Sequence, residues 1–253
     1  MNRLPAPRNA TAAWVGFTAD ALLAMGLMLL LSLAAGVGWA LLRGAAGSTS
    51  AGMPGVLAQM GMAVVATGGT ALLLYLARRR ATAAEKAASL AAMYRPATWL
   101  LAAGAGVLVF VGSLLVSWLF SRLGSNPTPS NVGLMLQARD QYPLLLLLFA
   151  VGLAPLYEEL LFRRVLFGRL AEAGWVGTGM LASSLLFALS HELPGLSGQG
   201  WAGVLQLWLI YGGMGAVFAW LYHRTGTLAA PIAAHALNNG AALAALMLGL
   251  TSA

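Results

Sequence analysis

Long apolar stretches alternate with short polar segments along most of the chain. The apolar stretches cover residues 19–42, 56–77, 97–120, 143–168, 176–192, 203–222 and 228–249. An α-helix needs about 20 apolar residues to cross the hydrocarbon core of a bilayer. The pattern therefore predicts an all-α fold, a polytopic membrane helix bundle with about seven transmembrane helices. The fourth stretch contains Pro155, which favours a kink or a break in that helix.

Composition supports a membrane protein and argues against a soluble domain. Hydrophobic residues make up 60% of the 253 residues and charged residues only 8%, whereas soluble globular chains carry about 25% charged residues. The net charge of +7 does not indicate nucleic-acid binding, because the basic residues lie in short clusters between the apolar stretches. We expect membrane lipid as a partner and no nucleic acid. The chain has no cysteine, which excludes disulfides and thiolate ligands.

The distribution of Lys and Arg predicts an orientation. If the N-terminus is cytoplasmic, the inner segments contain eleven Lys and Arg residues and the outer segments contain three. Basic residues are enriched on the cytoplasmic side, so seven crossings would place the N-terminus inside and the C-terminus outside. The first apolar stretch is too long for the core of a cleavable signal peptide. The strong preference for Arg over Lys indicates a bacterial chain, and we expect it in the inner membrane. The inner set is Arg3, Arg8, Arg78, Arg79, Arg80, Lys86, Arg95, Arg163, Arg164, Arg169 and Arg224, and the outer set is Arg43, Arg122 and Arg139.

A turn-rich segment divides the chain into two parts. Residues 125–131 read SNPTPSN, a composition typical of a loop. We predict accessory transmembrane helices 1 to 3 in residues 1–125, a loop in 126–142, and a core of four helices in 143–249 that carries the chemistry.

Ionisable side chains are rare inside the apolar stretches, and all that we identify lie in the second half of the chain. An ionisable group inside a membrane span usually faces the bundle interior and is functional. Glu159 and Arg163 are four residues apart and share a helix face, which predicts an ion pair. Glu158 points about 100° away. A carboxylate kept out of water can act as a general base. The full set is Glu158, Glu159, Arg163, His191 and His235, with Asn238 and Asn239 close by.

Two of the three histidines lie in separate apolar stretches. His191 ends the word FALSH, and His235 begins HALNN, so that His235 and Asn239 share a helix face. His223 lies beside Arg224 in a short connection, which is typical of an interfacial residue. Two histidines, a pair of glutamates and an asparagine form the kind of cluster that activates water.

Three motifs in this order are similar to those of a known family. They are EExxxR at 158–163, FxxxH at 187–191 and HxxxN at 235–239. The chain resembles the CPBP intramembrane proteases, which include the type II CAAX prenyl endopeptidases and the bacterial Abi proteins. The resemblance covers residues 143–249, and the flanking words APLYEELLFRRVLF and RTGTLAAPIAAHALNN agree with it.

The resemblance implies an intramembrane endopeptidase that hydrolyses a peptide bond of a membrane-associated or lipidated protein or peptide. Glu158 would be the base that activates water, and His191 would hold or polarise that water. His235 and Asn239 would stabilise the oxyanion, a role that suits fixed donors in a dry site. The resemblance further implies that Glu159 and Arg163 support these groups and that Phe187 packs the site.

Several alternatives stay open at this point. The family has been described as metal-dependent and as glutamate-type. We favour a site without a metal or other cofactor, with zinc bound by Glu158, His191 and His235 as the alternative. The same fold could serve as a non-proteolytic scaffold or a bacteriocin immunity protein. A lesser alternative is a rhomboid-like serine protease, since GLSG at 195–198 contains Ser197.

The shared site requires a specific geometry. Glu158 lies about 22 Å along a helix that starts at residue 143, so a short fourth span would leave it far from His191 in depth. We expect this helix to extend to about residue 168 or to break at Pro155. Glu158 and His191 should then lie within about 10 Å of each other, because a base must reach its proton directly or through one water.

Overall fold

The computed structural model describes residues 10–48, 52–196 and 198–249. Those residues contain nine helices and no β-strand. The all-α fold is therefore confirmed. The helices are α1 (Ala10–Ala45), α2 (Val56–Arg78), α3 (Ala83–Met93), α4 (Pro96–Arg122), α5 (Val132–Gln141), α6 (Pro143–Glu172), α7 (Val176–His191), α8 (Trp201–Thr225) and α9 (Ala229–Met247).

Five of the helices in the described part are long and apolar enough to cross a membrane, namely α1, α2, α4, α6 and α8. The other two predicted spans also form helices. However, α7 has 16 residues, and α9 has 19 residues and includes three strongly polar side chains, His235, Asn238 and Asn239. A polytopic membrane bundle is thus confirmed, while the number of seven crossings stays a prediction.

Two short helices lie in segments where no helix was predicted. The segment 126–142, expected to be a loop, contains α5, which buries Ala138 against Val56 and Met60 of α2. Helix α3 follows the basic cluster at the end of α2. It begins with a capping box, in which the Thr82 side chain and the Glu85 side chain satisfy each other's backbone N–H groups.

Helix α6 is continuous and reaches Glu172, which confirms the expected extension of the fourth span. It does not break at Pro155. Instead, the turns widen to π-helical geometry at Leu148–Leu153 and again at Leu160–Phe167. Pro155 lacks a backbone N–H, and a wide turn directly before it accommodates the missing hydrogen bond. The wide turns also flank Glu158 and Glu159, so they set the direction of both carboxylates.

One buried apolar cluster joins helices from both parts of the chain. It includes Phe17 of α1, Leu74 of α2, Leu161 of α6 and Phe218 of α8. Small residues allow close helix approach within it. A Cβ atom on Gly215 of α8 would lie 2.9 Å from the Cα of Ser184 on α7, so only glycine permits this contact.

An acidic residue in the first helix is also buried. Asp20 of α1 is 0% exposed and forms ion pairs with Arg78 at the end of α2 and Arg169 near the end of α6. The expectation that all ionisable groups in the spans lie in the second half is therefore wrong for Asp20. The carboxylate is stabilised there because two guanidinium groups replace its hydration.

Much of the apolar surface points outward. On α1, Leu29 is 71% exposed, Leu33 66% and Leu41 69%. Exposed leucines repeated along a helix face are compatible with lipid contact and would be unfavourable in water.

Candidate functional site

The centre of the site is a buried ion pair on α6. Arg163 Nε lies 2.7 Å from Glu159 Oε2, and both side chains are 0% exposed. A second contact, 3.1 Å long, runs from Arg163 Nη2 to Glu159 Oε1. The predicted pairing of these residues is thus present. The guanidinium also lies over three aromatic rings, those of Phe187 at 4.9 Å, Phe218 at 5.7 Å and Phe162 at 5.9 Å.

Glu159 also binds a histidine from another helix. Nδ1 of His235 lies 2.9 Å from Glu159 Oε1. A carboxylate paired with arginine is an acceptor, so His235 donates from Nδ1. The His235 ring is 3% exposed and stacks on Phe218, with 5.0 Å between ring centroids. The Glu159 carboxylate thereby holds both the Arg163 guanidinium and the His235 imidazole in place.

His191 is oriented by its own helix. Its Nδ1 lies 2.8 Å from the carbonyl oxygen of Phe187, one turn earlier on α7. A carbonyl can only accept, so Nδ1 carries the proton. The ring lies between two aromatic rings, Phe187 at 4.4 Å and Tyr211 at 4.5 Å. The predicted packing role of Phe187 thus includes contacts to both His191 and Arg163.

Glu158 faces both imidazoles. Its Oε2 lies 3.7 Å from Nε2 of His191 and 3.8 Å from Nε2 of His235. These distances confirm the expectation that Glu158 and His191 lie within about 10 Å of each other. They are too long for direct hydrogen bonds and allow a small molecule such as water between the groups. Oε2 of Glu158 is buried and has no hydrogen-bond partner in the part of the chain that the structure describes.

The hydrogen bonds determine which nitrogen atoms face Glu158. Because His191 and His235 each donate from Nδ1, the neutral form of each ring presents a lone pair at Nε2. Two lone pairs and one carboxylate oxygen therefore converge. Such a set of acceptors can hold a water molecule by its protons, and either imidazole becomes a donor at Nε2 only when it is protonated.

Asn239 lies at the edge of the site. One of its two amide protons already forms a hydrogen bond. Its Nδ2 donates to the carbonyl oxygen of Ala150 over 2.9 Å, and its Oδ1 accepts from Asn238 at 3.1 Å. Ala150 belongs to the first wide turn of α6. Asn239 therefore binds α9 to that turn and keeps one N–H for another acceptor.

The site opens into a cavity of about 560 Å³. Glu158, His191, His235, Asn238 and Asn239 all line it. Much of the remaining wall is apolar or carries hydroxyl groups, and it comes from α2, α4, α5, α6, α8 and α9. Four predicted site residues thus share one cavity, namely Glu158, His191, His235 and Asn239. Glu159, Arg163 and Phe187 do not line the cavity and lie behind the side chains that do.

Glu192 and Ser197 lie close to the site in sequence. Glu192, which follows His191, is 1% exposed and accepts from the backbone N–H of Ser130 at 3.3 Å, so it is used at the neighbouring loop. The described residues include no group of three or more His, Cys, Asp or Glu placed to hold a metal ion. Ser197, the nucleophile of the rhomboid-like alternative, lies outside the described residues.

A second, larger cavity of about 680 Å³ lies beside the other half of α6 and contains none of these site residues. Arg164 is buried there. It pairs with Glu85 of α3 at 2.7 Å and donates to the carbonyl of Arg79. The hydrogen bond from Arg164 lowers the pKa of Glu85 from 4.5 to about 2.

Arg163 was assigned to a cytoplasmic segment in the prediction of membrane orientation. It is instead a buried site residue and gives no information on how the chain is oriented in the membrane.

Sequence reasoning missed the aromatic neighbours of the histidines. Tyr211 and Phe218 lie on α8 and stack on His191 and His235. They are seven residues apart and therefore share a helix face. An aromatic pair at this spacing is also common in a packed core, so only a partner histidine on another helix reveals its role.

Comparison with known proteins identifies one matching family model and two relatives. The family model described as Type II CAAX prenyl endopeptidase Rce1-like matches residues 140–241. The membrane-embedded CAAX protease MroQ of Staphylococcus aureus (strain USA300) is 32% identical over 142 residues, covering 53% of this chain and 52% of that protein. YdiL of Bacillus subtilis (strain 168), described as a candidate membrane peptidase, is 28% identical over 137 residues, covering 54% of this chain and 51% of that protein. The chain thus spans about half the length of these relatives. No solved structure gives a significant match.

Proposed function

We propose that this chain is an intramembrane endopeptidase, because residues 140–241 match the family model described as Type II CAAX prenyl endopeptidase Rce1-like. Its reaction would be hydrolysis of a peptide bond in a membrane-associated or lipidated protein or peptide. The main supporting observation is that Glu158 Oε2 faces Nε2 of His191 at 3.7 Å and Nε2 of His235 at 3.8 Å in one cavity. The similarity to MroQ, described as a CAAX protease, supports the same class of activity.

Glu158 is the proposed base. It takes a proton from a water molecule held against His191, and the water oxygen forms a bond to the carbonyl carbon of the substrate. The carbonyl π electrons move to oxygen and give a tetrahedral oxyanion. Glu158 then gives its proton to the leaving nitrogen as the C–N bond breaks. The buried Oε2 without a hydrogen bond is available for this transfer.

His235 is the proposed donor to the oxyanion. It already donates from Nδ1 to Glu159, so it can donate from Nε2 only as an imidazolium. Glu159 and Glu158 lie on either side of the His235 ring, and Arg163 keeps the Glu159 carboxylate in place. The remaining N–H of Asn239 is the second proposed donor. One such donor contributes about 10²–10³ to the rate in other hydrolases.

A zinc-dependent mechanism uses the same side chains. Two Nε2 lone pairs and a carboxylate are donor types that zinc binds, although the described residues include no group of three or more His, Cys, Asp or Glu placed to hold a metal ion. We propose the glutamate-type mechanism, in which Glu158 itself activates the water. If zinc were bound, Glu158, His191 and His235 would hold it, and it would polarise the substrate carbonyl or the attacking water.

The decisive experiment is cleavage of a library of lipid-associated peptides by purified protein in detergent, with Glu158→Gln as the key variant. We expect wild type to cleave at least one peptide and Glu158→Gln to lose activity by at least about 10²-fold. Glu85→Gln, which changes a carboxylate in the other cavity, should stay active and serves as the matched control. Each sample is repeated with a zinc chelator.

The outcomes separate the mechanisms. Activity that is lost in Glu158→Gln and kept under the chelator supports the glutamate-type reaction. Loss under the chelator indicates the metal-dependent alternative. Full activity of Glu158→Gln would contradict the role of Glu158 and favour the Ser197 alternative. Absence of cleavage for wild type across the library would favour the non-proteolytic scaffold or immunity role.

A further inference from the structure

The second cavity, with a volume of about 680 Å³, contains none of the side chains of the proposed reaction. It lies where α2, α6 and α8 end, and one face of α3 lines it. Its wall combines charged with apolar side chains, which is the composition that an amphiphilic ligand requires.

The face of α3 that lines the cavity changes from polar to apolar along the helix. Its lining residues include Lys86, Ser89, Leu90 and Met93. These positions have the spacing i, i+3, i+4 and i+7 of a single helix face. On α6, the apolar Leu160 lines the cavity 12 residues before Glu172, the last residue of that helix. Charged groups and an apolar wall therefore face the same space.

Both carboxylates in the lining are already paired with arginines. Glu85 accepts hydrogen bonds from both terminal nitrogen atoms of Arg164, at 2.7 and 3.0 Å. Glu172 pairs with the guanidinium of Arg79. The negative charges of the cavity are therefore balanced within the protein.

Donor groups in the same lining, by contrast, have no acceptor. Lys86 is the one lysine of the chain. It is exposed at the cavity, and its ammonium has no ion-pair or hydrogen-bond partner in the described part of the chain. The Tyr75 hydroxyl accepts from the backbone N–H of Ala81 at 3.3 Å, and no described residue accepts its own proton. An ammonium and a hydroxyl proton are groups that bind a phosphate oxygen.

The surrounding charge favours an anionic ligand over a zwitterionic one. Residues 78–95 contain five Lys and Arg residues and one Glu. Anionic headgroups are attracted to basic segments of this kind next to a membrane span. The trimethylammonium group of a zwitterionic lipid would find both carboxylates of the lining already paired with arginines.

We propose that this cavity binds an anionic phospholipid. Lys86 and the Tyr75 hydroxyl donate hydrogen bonds to its phosphate. An acyl chain lies against Leu90, Met93 and Leu160, where its burial removes apolar surface from water. The bound lipid thereby joins α3 to α2 and α6.

Because the chain has one lysine, the reactivity of Lys86 reports directly on this cavity. The measurement is the rate at which a neutral acetylating reagent modifies Lys86, followed by mass spectrometry of the peptide that contains it. The purified protein is kept in micelles of an uncharged detergent. These micelles contain dioleoyl phosphatidylglycerol, an equal amount of dioleoyl phosphatidylcholine, or no lipid.

An anionic micelle surface slows the acetylation of every nearby lysine, because it attracts protons, so a matched control is needed in the same molecule. Arg224→Lys supplies it. Arg224 is exposed one residue after His223 and is not part of the cavity lining in the described part of the chain. The readout is the slowing of Lys86 relative to the slowing of this control lysine.

We expect phosphatidylglycerol to slow Lys86 at least about fivefold more than the control lysine. Phosphatidylcholine should slow the two lysines about equally. Tyr75→Phe keeps Lys86 but removes the hydroxyl proton, and it should reduce the relative slowing by at least about half. Glycerophosphoglycerol, the same headgroup without acyl chains, should have no effect at the same concentration, because it lacks the apolar part.

Equal slowing of both lysines by phosphatidylglycerol would overturn the inference, because surface charge alone would then explain it. Selective slowing of Lys86 by phosphatidylcholine would contradict the preference for an anionic headgroup. Full protection by glycerophosphoglycerol would assign the cavity to a soluble phosphate ester and not to a lipid. An unchanged effect in Tyr75→Phe would remove the proposed phosphate site.

Discussion

Nδ1 of His235 lies 2.9 Å from Oε1 of Glu159, the carboxylate that also pairs with Arg163. The contact joins α9 to α6 across 76 positions of the chain. It determines that Nε2, and not Nδ1, of His235 faces Glu158. The two adjacent glutamates therefore have different tasks. Glu159 is buried and holds two partners, whereas Oε2 of Glu158 has no hydrogen-bond partner among the described residues.

Loss of one partner of the Glu159–Arg163 pair should destabilise the protein much more than loss of both. Glu159→Gln leaves a buried guanidinium without its carboxylate, and we expect it to reduce the free energy of unfolding by about 3–5 kcal/mol. Arg163→Met should cost a similar amount, because it leaves the Glu159 carboxylate unpaired. The measurement is loss of helical circular dichroism during denaturation in mixed micelles.

The double variant Glu159→Gln with Arg163→Met provides the matched control. It should recover at least half of the loss, because no unpaired charge remains between the aromatic rings. If the losses of the two single variants simply add, the pair is not a coupled buried ion pair.

Tyr211 should contribute to catalysis through its ring and not through its hydroxyl. The ring stacks on His191 with 4.5 Å between centroids and a 27° interplanar angle. Tyr211→Phe keeps the ring, and we expect near wild-type kcat/KM with the peptide identified above. Tyr211→Ala removes the stacking and should lower kcat/KM by about tenfold.

A double-variant test separates this effect from general damage to the bundle. In a His191→Ala background, Tyr211→Ala should cause little additional loss, because the ring has no imidazole to orient. A further tenfold loss in that background would show that Tyr211 acts independently of His191.

The contact between α7 and α8 should tolerate no side chain at Gly215. A Cβ atom there would meet backbone and side-chain atoms of Ser184 at 2.9 and 3.0 Å, and the backbone cannot move away. We expect Gly215→Ala to reduce the free energy of unfolding by about 1–3 kcal/mol. Its thermal midpoint in detergent should fall accordingly.

Gly212, one turn earlier on α8, is the matched control. A Cβ at Gly212 would meet no atom of the described residues within 4 Å. Gly212→Ala should be neutral or stabilising by about 0.5–1 kcal/mol, because alanine loses less backbone entropy in a helix. Equal destabilisation by both substitutions would contradict the close approach at Gly215.

The ion pair between Glu85 and Arg164 should make stability depend on acid pH. The hydrogen bond from Arg164 lowers the pKa of Glu85 from 4.5 to about 2 in the folded protein. A lowered folded-state pKa means that the stabilisation is fully present above the unfolded value of 4.5. It is lost as the pH falls from there through the folded value of about 2. The effect should be small, because the Glu85 side chain is 41% exposed.

The measurement is the difference in thermal midpoint between wild type and Glu85→Gln at a series of pH values in detergent. The difference isolates Glu85 from the other carboxylates that titrate in the same range. Wild type should be more stable at pH 7, and the difference should disappear towards about pH 2. A difference that stays constant across this range would show that the carboxylate charge does not contribute.

Much of the fold class and the central groups of the site can be predicted from the sequence. Apolar stretches of span length leave few structures except membrane helices. Against that background, Glu158, His191 and His235 are conspicuous because each is costly in an apolar span. The Glu159–Arg163 pair is also predictable, because residues four apart on one helix meet regardless of the rest of the fold.

Contacts between distant parts of the chain could be known only from the tertiary structure. The sequence places Asn239 on the His235 face but does not show that it binds Ala150, 89 positions earlier. It does not show that Asp20 pairs with Arg169, 149 positions later.

The orientation of the two imidazoles depends on such contacts. Phe187 and Glu159 accept hydrogen bonds from the Nδ1 protons, and this directs both Nε2 atoms at Glu158. Local periodicity determines which residues enter the bundle. Packing between helices then determines which atoms face one another, because it depends on every side chain that fills the space between them.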